Sequence, residues 1–544
     1  MEQGNKKNSG RRSDKLLLQG SILAAAGIIT KLIGFIYRIP MANILGNQGN
    51  GIYSVAFGIY NIALTLSSYS LPLAVSKIVS GKLANSRYKN AHRVFFIALM
   101  FGIVTGSIAC GLLWLGADFL EHLYHRRGLA LPLKVLAPTT LVVAVLGVFR
   151  GFVQGHGNMV PTAISQVLEQ IVNAVISIVA ALLLVRAYID SPLTSAYGAA
   201  GGTVGTLCGA SSALIFFIIL YTKLKPGLTA REQHDIYGRE PDSDIMKLLV
   251  ITILPVILSQ TVYQIGYTID DMMFGNMMAA KHVPDRVVSS LQGVFNTQYN
   301  QLVNLPVAVA TAMAVSTVPG IVRSKARGNE GELYRRISLV LKFNMAIAFP
   351  SAVGLTLLGE PIVAVLFPRL SEYQALSGML LMTGSAAVVF YALSTITTAI
   401  LQGCDYMRIP VYHSAISLVL HIALIYVLLK FTSLGIYALI IGNVTFPMLV
   451  SILNCLSLKR LLGFNWSTES IIIPQLKCSV IMGAAATASY SLLRLIFSGN
   501  LIPLLVSLIL SISVYGYALL SSGCFTKSEM PEIPMGTRLM KFVK

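Results

Sequence analysis

The chain has 544 residues, 55% of them hydrophobic and only 12% charged, with a formal net charge of +19 and a mean hydropathy of +0.72. Soluble domains carry roughly 25% charged residues, so this composition excludes an ordinary soluble enzyme. It describes an all-α polytopic membrane protein, whose basic excess serves topology and anionic headgroups rather than nucleic acid.

Windows of about 20 apolar residues, the length needed to cross the hydrocarbon core, recur along the chain. They lie near 16–45, 51–79, 94–119, 132–156, 161–187, 197–222, 247–276, 291–322, 337–358, 374–402, 410–430, 435–457, 472–497 and 500–522, which predicts about fourteen transmembrane helices. The first is too long for a signal-peptide core and is read as a retained helix. It carries Lys31 and Arg38, seven residues apart and therefore on one helix face. Two cations on one intramembrane face are costly unless they meet a watery cavity or a partner. A lysine point charge and an arginine fork suit a diphosphate; the alternative for Arg38 is that it snorkels to the boundary. Gly20, Gly27 and Gly34 repeat at the same spacing and keep that helix slim.

In the fifth window Gln166, Glu169, Gln170 and Asn173 form a polar stripe, approached by Arg150 from the end of the fourth. Two readings stand: a Glu169–Arg150 ion pair within the lobe, or Arg150 receiving a phosphate from the cytoplasm. In the seventh window Gln260, Gln264, Tyr267 and Asp271 are spaced four, three and four, a polar face ending in Asp270 and Asp271. These acids hold the place that Arg38 holds in the first window, so a pair of Arg38 with Asp270 or Asp271 is expected to gate the outer mouth. The rival is a pair of headgroup-level acids with no gating role. The eighth window supplies Asn296, Asn300 and Asn304, amides that fit sugar hydroxyls and interhelix hydrogen bonds equally well. Lys342, His413 and His421 read as isolated ionisable residues, structural or proton-relaying. The cysteines are scattered without metal-type spacing and read as small apolar residues.

Basic clusters alternate with the windows: Lys6, Lys7, Arg11, Arg12 and Lys15; Lys82, Arg87, Lys89 and Arg93; Lys223, Lys225, Arg231 and Arg239; Arg323, Lys325, Arg327, Arg335 and Arg336; and Lys527, Arg538 and Lys541. By the positive-inside rule both termini are cytoplasmic in a multi-pass protein of the cell membrane. The opposite loops are poorer in Lys and Arg, with Arg126 and Arg127 the main exception.

Two stretches echo each other. Gln154-Gly155 followed by Met159-Val160-Pro161 corresponds to Gln402-Gly403 followed by Met407-Arg408-Ile409-Pro410, and Leu71-Pro72-Leu73-Ala74-Val75 to Leu305-Pro306-Val307-Ala308-Val309. The chain therefore reads as a parallel repeat of six helices. The expected organisation is a basic tail 1–15, an N-lobe 16–222, a cytoplasmic connector 223–246, a C-lobe 247–457, an extra helix pair 458–522 and a tail 523–544. Facing lobes with a central cavity make an alternating-access transporter the leading reading. No nucleophile–base constellation, metal spacing or phosphate loop occurs, so no enzyme, metal or resident cofactor is expected.

Leu32-Ile33-Gly34-Phe35-Ile36-Tyr37-Arg38-Ile39-Pro40, Ser70-Leu71-Pro72-Leu73-Ala74-Val75-Ser76-Lys77 and Arg150-Gly151-Phe152-Val153-Gln154-Gly155 with Pro161-Thr162-Ala163-Ile164-Ser165-Gln166 resemble the SpoVB/YtgP branch of the multidrug/oligosaccharidyl-lipid/polysaccharide exporter superfamily, which contains the MurJ lipid II flippases. The resemblance covers essentially the whole chain. It implies a MATE/MurJ-like V-shaped fold that flips an undecaprenyl-diphosphate-linked precursor, lipid II first among them. It also implies diphosphate contacts from the first helix, with Lys31 matching one such position and Arg38 offset by one residue, and a polyprenyl groove beside the last two helices. The eighth helix offers Asn296, Asn300 and Asn304 where the family carries an arginine.

The sequence thus points to a lipid-linked oligosaccharide flippase of peptidoglycan biosynthesis, with Lys31, Arg38 and Arg150 on the diphosphate and the amide stripes on the sugars. Membrane potential or a gradient of H+ or Na+ would drive it. A monomer is expected, in contact with membrane lipids and cell-wall synthesis proteins. The alternatives are an exporter of another polyprenyl-linked polysaccharide, a cation-coupled multidrug antiporter, which predicts an acidic cavity, and a non-transporting scaffold, which predicts that Lys31→Ala changes nothing.

Overall fold

The computed structural model describes residues 2–233, 235–465, 468–527 and 529–530. The side chains of residues 1–21, of Gln260, Gln264 and Tyr267, and of the C-terminal cluster with Arg538 and Lys541 lie outside the described residues, so those expectations are not addressed. Regular structure among the described residues is helical throughout: α1 Glu2–Ser67, α2 Leu71–Ala84, α3 Tyr88–Leu123, α4 Ala130–Gly155, α5 Val160–Ala187, α6 Thr194–Gln233, α7 Asp242–Ala280 and α8 Asp285–Gly293. A π-helical turn, Val294–Tyr299, leads into α9 Asn300–Ala326, followed by α10 Glu330–Leu366, α11 Gln374–Gly384, α12 Ala386–Gly403, α13 Arg408–Phe431, α14 Ile436–Leu462, the short α15 Thr468–Ile471, α16 Ile473–Ile496 and α17 Leu501–Ser521. Eleven helical stretches among the described residues are long and apolar enough to cross a membrane. The α7 and α9 helices, 39 and 27 residues long, are also of spanning length. The chain is a multi-pass membrane protein.

The first two apolar windows differ from expectation in how they join. No loop separates them: the helix continues to Ser67 and bends at Gly46, which sits at φ 70° and ψ 173°. Only glycine takes that backbone without strain. The bend frees carbonyls, and Asn50 answers them by donating to Ala42 O at 2.9 Å and Gly46 O at 2.7 Å. A second interruption follows at residues 68–70, just before Pro72 opens α2. Thr105, midway along α3, donates to the Ser67 carbonyl at 3.1 Å, so the break does not strand that group.

The chain divides into two compact units, residues up to Gly293 and residues from Val294 onward. In the first unit α7 and α8 are packed together with α1 to α6. One apolar core joins α2, α3, α4, α6 and α7 through Phe95, Phe149, Phe152, Phe217 and Ile253, with the Phe95 and Phe152 rings 4.7 Å apart. A second, toward the opposite end, joins α1, α3 and α4 through Tyr37, Met41, Tyr53, Leu113 and Leu133.

The stretch between α6 and α7 is clamped to the α2–α3 turn. Asn90, fully buried, donates to Gly238 O at 2.9 Å and accepts from Glu240 N at 3.0 Å. Lys82 and Arg87 both hold the Glu240 carboxylate, the latter at 2.8 Å, and the Lys89 N–H donates to Asp235 at 2.7 Å. Burial pushes both carboxyls up, but the Lys89 and Tyr237 N–H groups at Asp235 and the Lys82 and Arg87 hydrogen bonds at Glu240 prevail and hold each below its usual range.

In the second unit α10 is the shared wall. It packs against α9 and α12 on one side and the α16–α17 pair on the other, where Leu358, Ala486 and Leu504 meet. Lys342 proves not to be isolated. The chain after α17 folds back, and Glu529 takes the Lys342 ammonium at 3.0 Å with Cys524, Phe525 and Met530 buried around it. His413 is likewise partnered, by Asn454 at 2.8 Å and Ser457 at 3.3 Å.

Candidate functional site

In the first unit the polar stripe of α5 lies against α1 and α4. Lys31, Gly34 and Arg38 share one face of α1, and a Cβ on Gly34 would stand 3.2 Å from the Gln170 amide nitrogen. Gly34 therefore lets α5 bring an amide up to the face that carries both cations. One turn on, the Asn173 amide approaches the Tyr37 hydroxyl at 3.4 Å and its oxygen accepts from Ser177 at 2.9 Å. Lys31 and Arg38 themselves are exposed, and among the described residues neither has a carboxylate within ion-pair distance. Arg38 lies beside the hydroxyls of Tyr37 and Tyr53.

Arg150 is different. Its Nη2 is 2.7 Å from Glu169 Oε2 and its Nε donates to Ser165 at 3.1 Å, with side-chain exposures of 14% for Arg150 and 28% for Glu169. Of the two readings left open, the ion pair within the unit is the one the geometry displays. The reason is general: carboxylate and guanidinium together cost far less in a membrane than either alone. Gln166 is half-buried on the same stripe.

In the second unit the eighth-window amides form an interhelix chain. Asn300 donates to Asn296 at 3.2 Å and accepts from Asn443 of α14 at 3.3 Å, while the buried Tyr299 hydroxyl donates to Gly384 O at 2.8 Å. Asn304 is exposed on α9.

Asp270 is half-buried and Asp271 buried on α7. The charge of Arg126, from the turn between α3 and α4, acts on Asp271. Sequence reasoning marked Arg126 only as an exception in a basic-poor loop, and it is 2% exposed. Its Nη1 pairs with Asp285 at 2.8 Å and its Nε donates to Gln292 at 2.9 Å. The one available signal was an Arg-Arg pair where the topology rule disfavours basic residues; burial left no trace in the sequence.

The chain and its helical fold have parallels among known proteins. Residues 16–325 match the family described as Polysaccharide biosynthesis protein, and residues 255–427 match the MatE family. The chain is 27% identical over 431 residues to the lipid II flippase MurJ of Bacillus subtilis (strain 168), covering 77% of this chain and 78% of that protein. It is 25% identical over 532 residues to stage V sporulation protein B of the same organism, covering 95% and 98%. Among solved structures, the inward-facing conformation of a multidrug resistance MATE family transporter aligns with a TM-score of 0.66 at 17% identity, over 80% of this chain and 94% of that one. Lipid II flippase MurJ in its inward closed conformation aligns with a TM-score of 0.64 at 14% identity, over 91% and 96%.

Proposed function

Because the chain belongs to the polysaccharide biosynthesis protein family, as a MurJ-like member of the multidrug/oligosaccharidyl-lipid/polysaccharide superfamily of flippases and transporters, we propose that it flips an undecaprenyl-diphosphate-linked cell-wall precursor, lipid II first among them, from the cytoplasmic to the outer leaflet. The observation that carries this reading is the contrast on α1 and α4. Arg150 is neutralised by Glu169, whereas Lys31 and Arg38 stand exposed on one face without a carboxylate among the described residues. Exposed cations inside a membrane protein need an anion, and a diphosphate supplies one that a lysine and an arginine can share. Gln170 and Asn173, alongside, would meet hydroxyl or amide groups of the headgroup. Arg150 joins only if the substrate displaces Glu169.

Both termini would be cytoplasmic, the protein would work as a monomer among membrane lipids and cell-wall synthesis proteins, and membrane potential or an H+ or Na+ gradient would supply the drive. A cationic-drug antiporter fits poorly with a basic α1. An exporter of another polyprenyl-linked glycan shares the same diphosphate chemistry, and its likeness to a sporulation protein over nearly the whole chain supports keeping it as the second reading.

The test is replacement of a depleted lipid II flippase in a reporter bacterium. The parent chain should restore growth, Lys31→Ala should fail to, and Arg38→Ala should restore it weakly. A parent that inserts into the membrane yet gives no growth sinks the lipid II reading and leaves the other glycans. Full activity of Lys31→Ala sinks the diphosphate role of α1.

A further inference from the structure

At the end of the first unit away from the connector, a single buried guanidinium ties three helical segments together. Arg126 stands in the six-residue turn from Tyr124 to Leu129, just after His125, a non-glycine residue at φ 48°. That left-handed backbone turns the arginine inward. Its acceptors come from the far side of the α7–α8 turn: Asp285 at the start of α8, which also takes the Arg127 N–H at 3.2 Å, and Gln292 near its end. Gln292 is itself anchored, donating to the Asp271 carbonyl of α7 at 2.8 Å. A Cβ on Gly275 would stand 3.1 Å from Arg126 Nη2, so α7 leaves a slot of glycine width for the guanidinium. His125 adds a contact to Asn276 at 2.9 Å.

The short α8 held by this arginine covers the bend of α1. A Cβ on Gly51 would run into the Ser289 carbonyl, and one on Gly293 into Asn47 O, so the two backbones touch without side chains between them. Contacts of that kind rest on van der Waals packing of one backbone on the other, with no side chains interdigitated. The arginine is also incompletely satisfied: its Nη2 is buried with no hydrogen-bond partner among the described residues.

We infer that Arg126 is a latch: with Asp285 and Gln292 it holds α7 and α8 over the α1 bend, keeping this end shut, and it must release for the cavity to open there. The inference rests on the alternating-access reading given above but not on any particular substrate. Arg126 is a positioning residue, since it touches the gate elements and not the cargo.

The readout is sidedness of access in the absence of substrate, so a wrong substrate leaves this test intact. Thr268 of α7, 5% exposed, lies under the latch, where a Cβ on Gly58 of α1 would be 3.5 Å from its hydroxyl. A Thr268→Cys variant in sealed vesicles of either orientation is treated with a membrane-impermeant maleimide, and the native cysteines are scored in the parent as background. Thr268→Cys alone should label slowly from both faces. Adding Arg126→Ala or Asp285→Asn should raise labelling about tenfold from one face only, and Arg126→Lys should fall between, keeping the charge but losing the fork. Unchanged labelling, or an equal rise from both faces, overturns the latch. If Arg126→Ala does not fold, the isosteric Asp285→Asn decides the matter alone.

Discussion

The two ends of the first unit are both held by ion pairs, but on different plans. At the connector end several cations are paired: Lys82 and Arg87 on Glu240 and Arg93 on Asp242, with side-chain exposures from 16% to 69%. At the other end, beside the exposed Lys134–Asp118 pair of α3 and α4, one guanidinium, 2% exposed, gathers α7 and α8. Redundant, wet pairs are individually weak and no single loss undoes them, which suits a fixed clamp. A solitary buried charge concentrates the interaction in one place, so a single rearrangement makes or breaks it, which suits a moving part.

The largest effect should come from the solitary end. Asp285→Ala leaves Arg126 buried without its carboxylate and should lower unfolding stability by about 2–3 kcal/mol, less than the roughly 3–5 kcal/mol of a fully buried pair because Asp285 is a third exposed. Thermal unfolding of the detergent-solubilised protein measures it, and a loss as small as that of a surface variant would erase the contrast between the ends. An intermediate effect is expected for Glu169→Gln, which keeps a hydrogen bond to Arg150 but removes the charge: about 1 kcal/mol by the same measurement. Glu240→Ala should cost about 0.5 kcal/mol in global stability, since Asn90, Asp235 and Arg93 still hold the connector. Limited proteolysis should nevertheless find residues 235–241 cut faster.

The smallest and most gradual effect is that of pH. Asp235 and Glu240 have depressed carboxyl values, so their contribution is complete above the usual carboxylate range of about 4 and is lost as pH falls through the depressed values below it. Hydrogen exchange of the connector should stay slow from neutral pH down to about 4 and quicken below that.

Much of this molecule was legible in the sequence. Helices appear wherever apolar windows were read, because a backbone in hydrocarbon has no other way to satisfy its hydrogen bonds. The α5 stripe was legible from spacing alone, and the structure turns Gln170 and Asn173 toward α1 and Glu169 toward Arg150, as one helical face must divide between two neighbours. The joint between the first two windows was not legible, since a bend and a loop around Gly46 share the same small and polar residues. Nor was the partner of Lys342, which lies 187 residues further on at Glu529.

Sequence by itself determined that this chain spans a membrane many times and that two cations share one face of its first helix, and its motifs resemble the multidrug/oligosaccharidyl-lipid/polysaccharide exporters. Membrane spanning and the shared face follow from composition and local periodicity, which the chain carries in every conformation, and the likeness follows from its motifs. Only the tertiary structure decided which charges remain exposed and which are spent on each other. Arg38, Arg126 and Arg150 are alike as letters; one lies exposed beside tyrosines, one is sealed under α8 and one is paired to α5. The difference is set by what distant segments bring within about 3 Å, a distance only the fold can close.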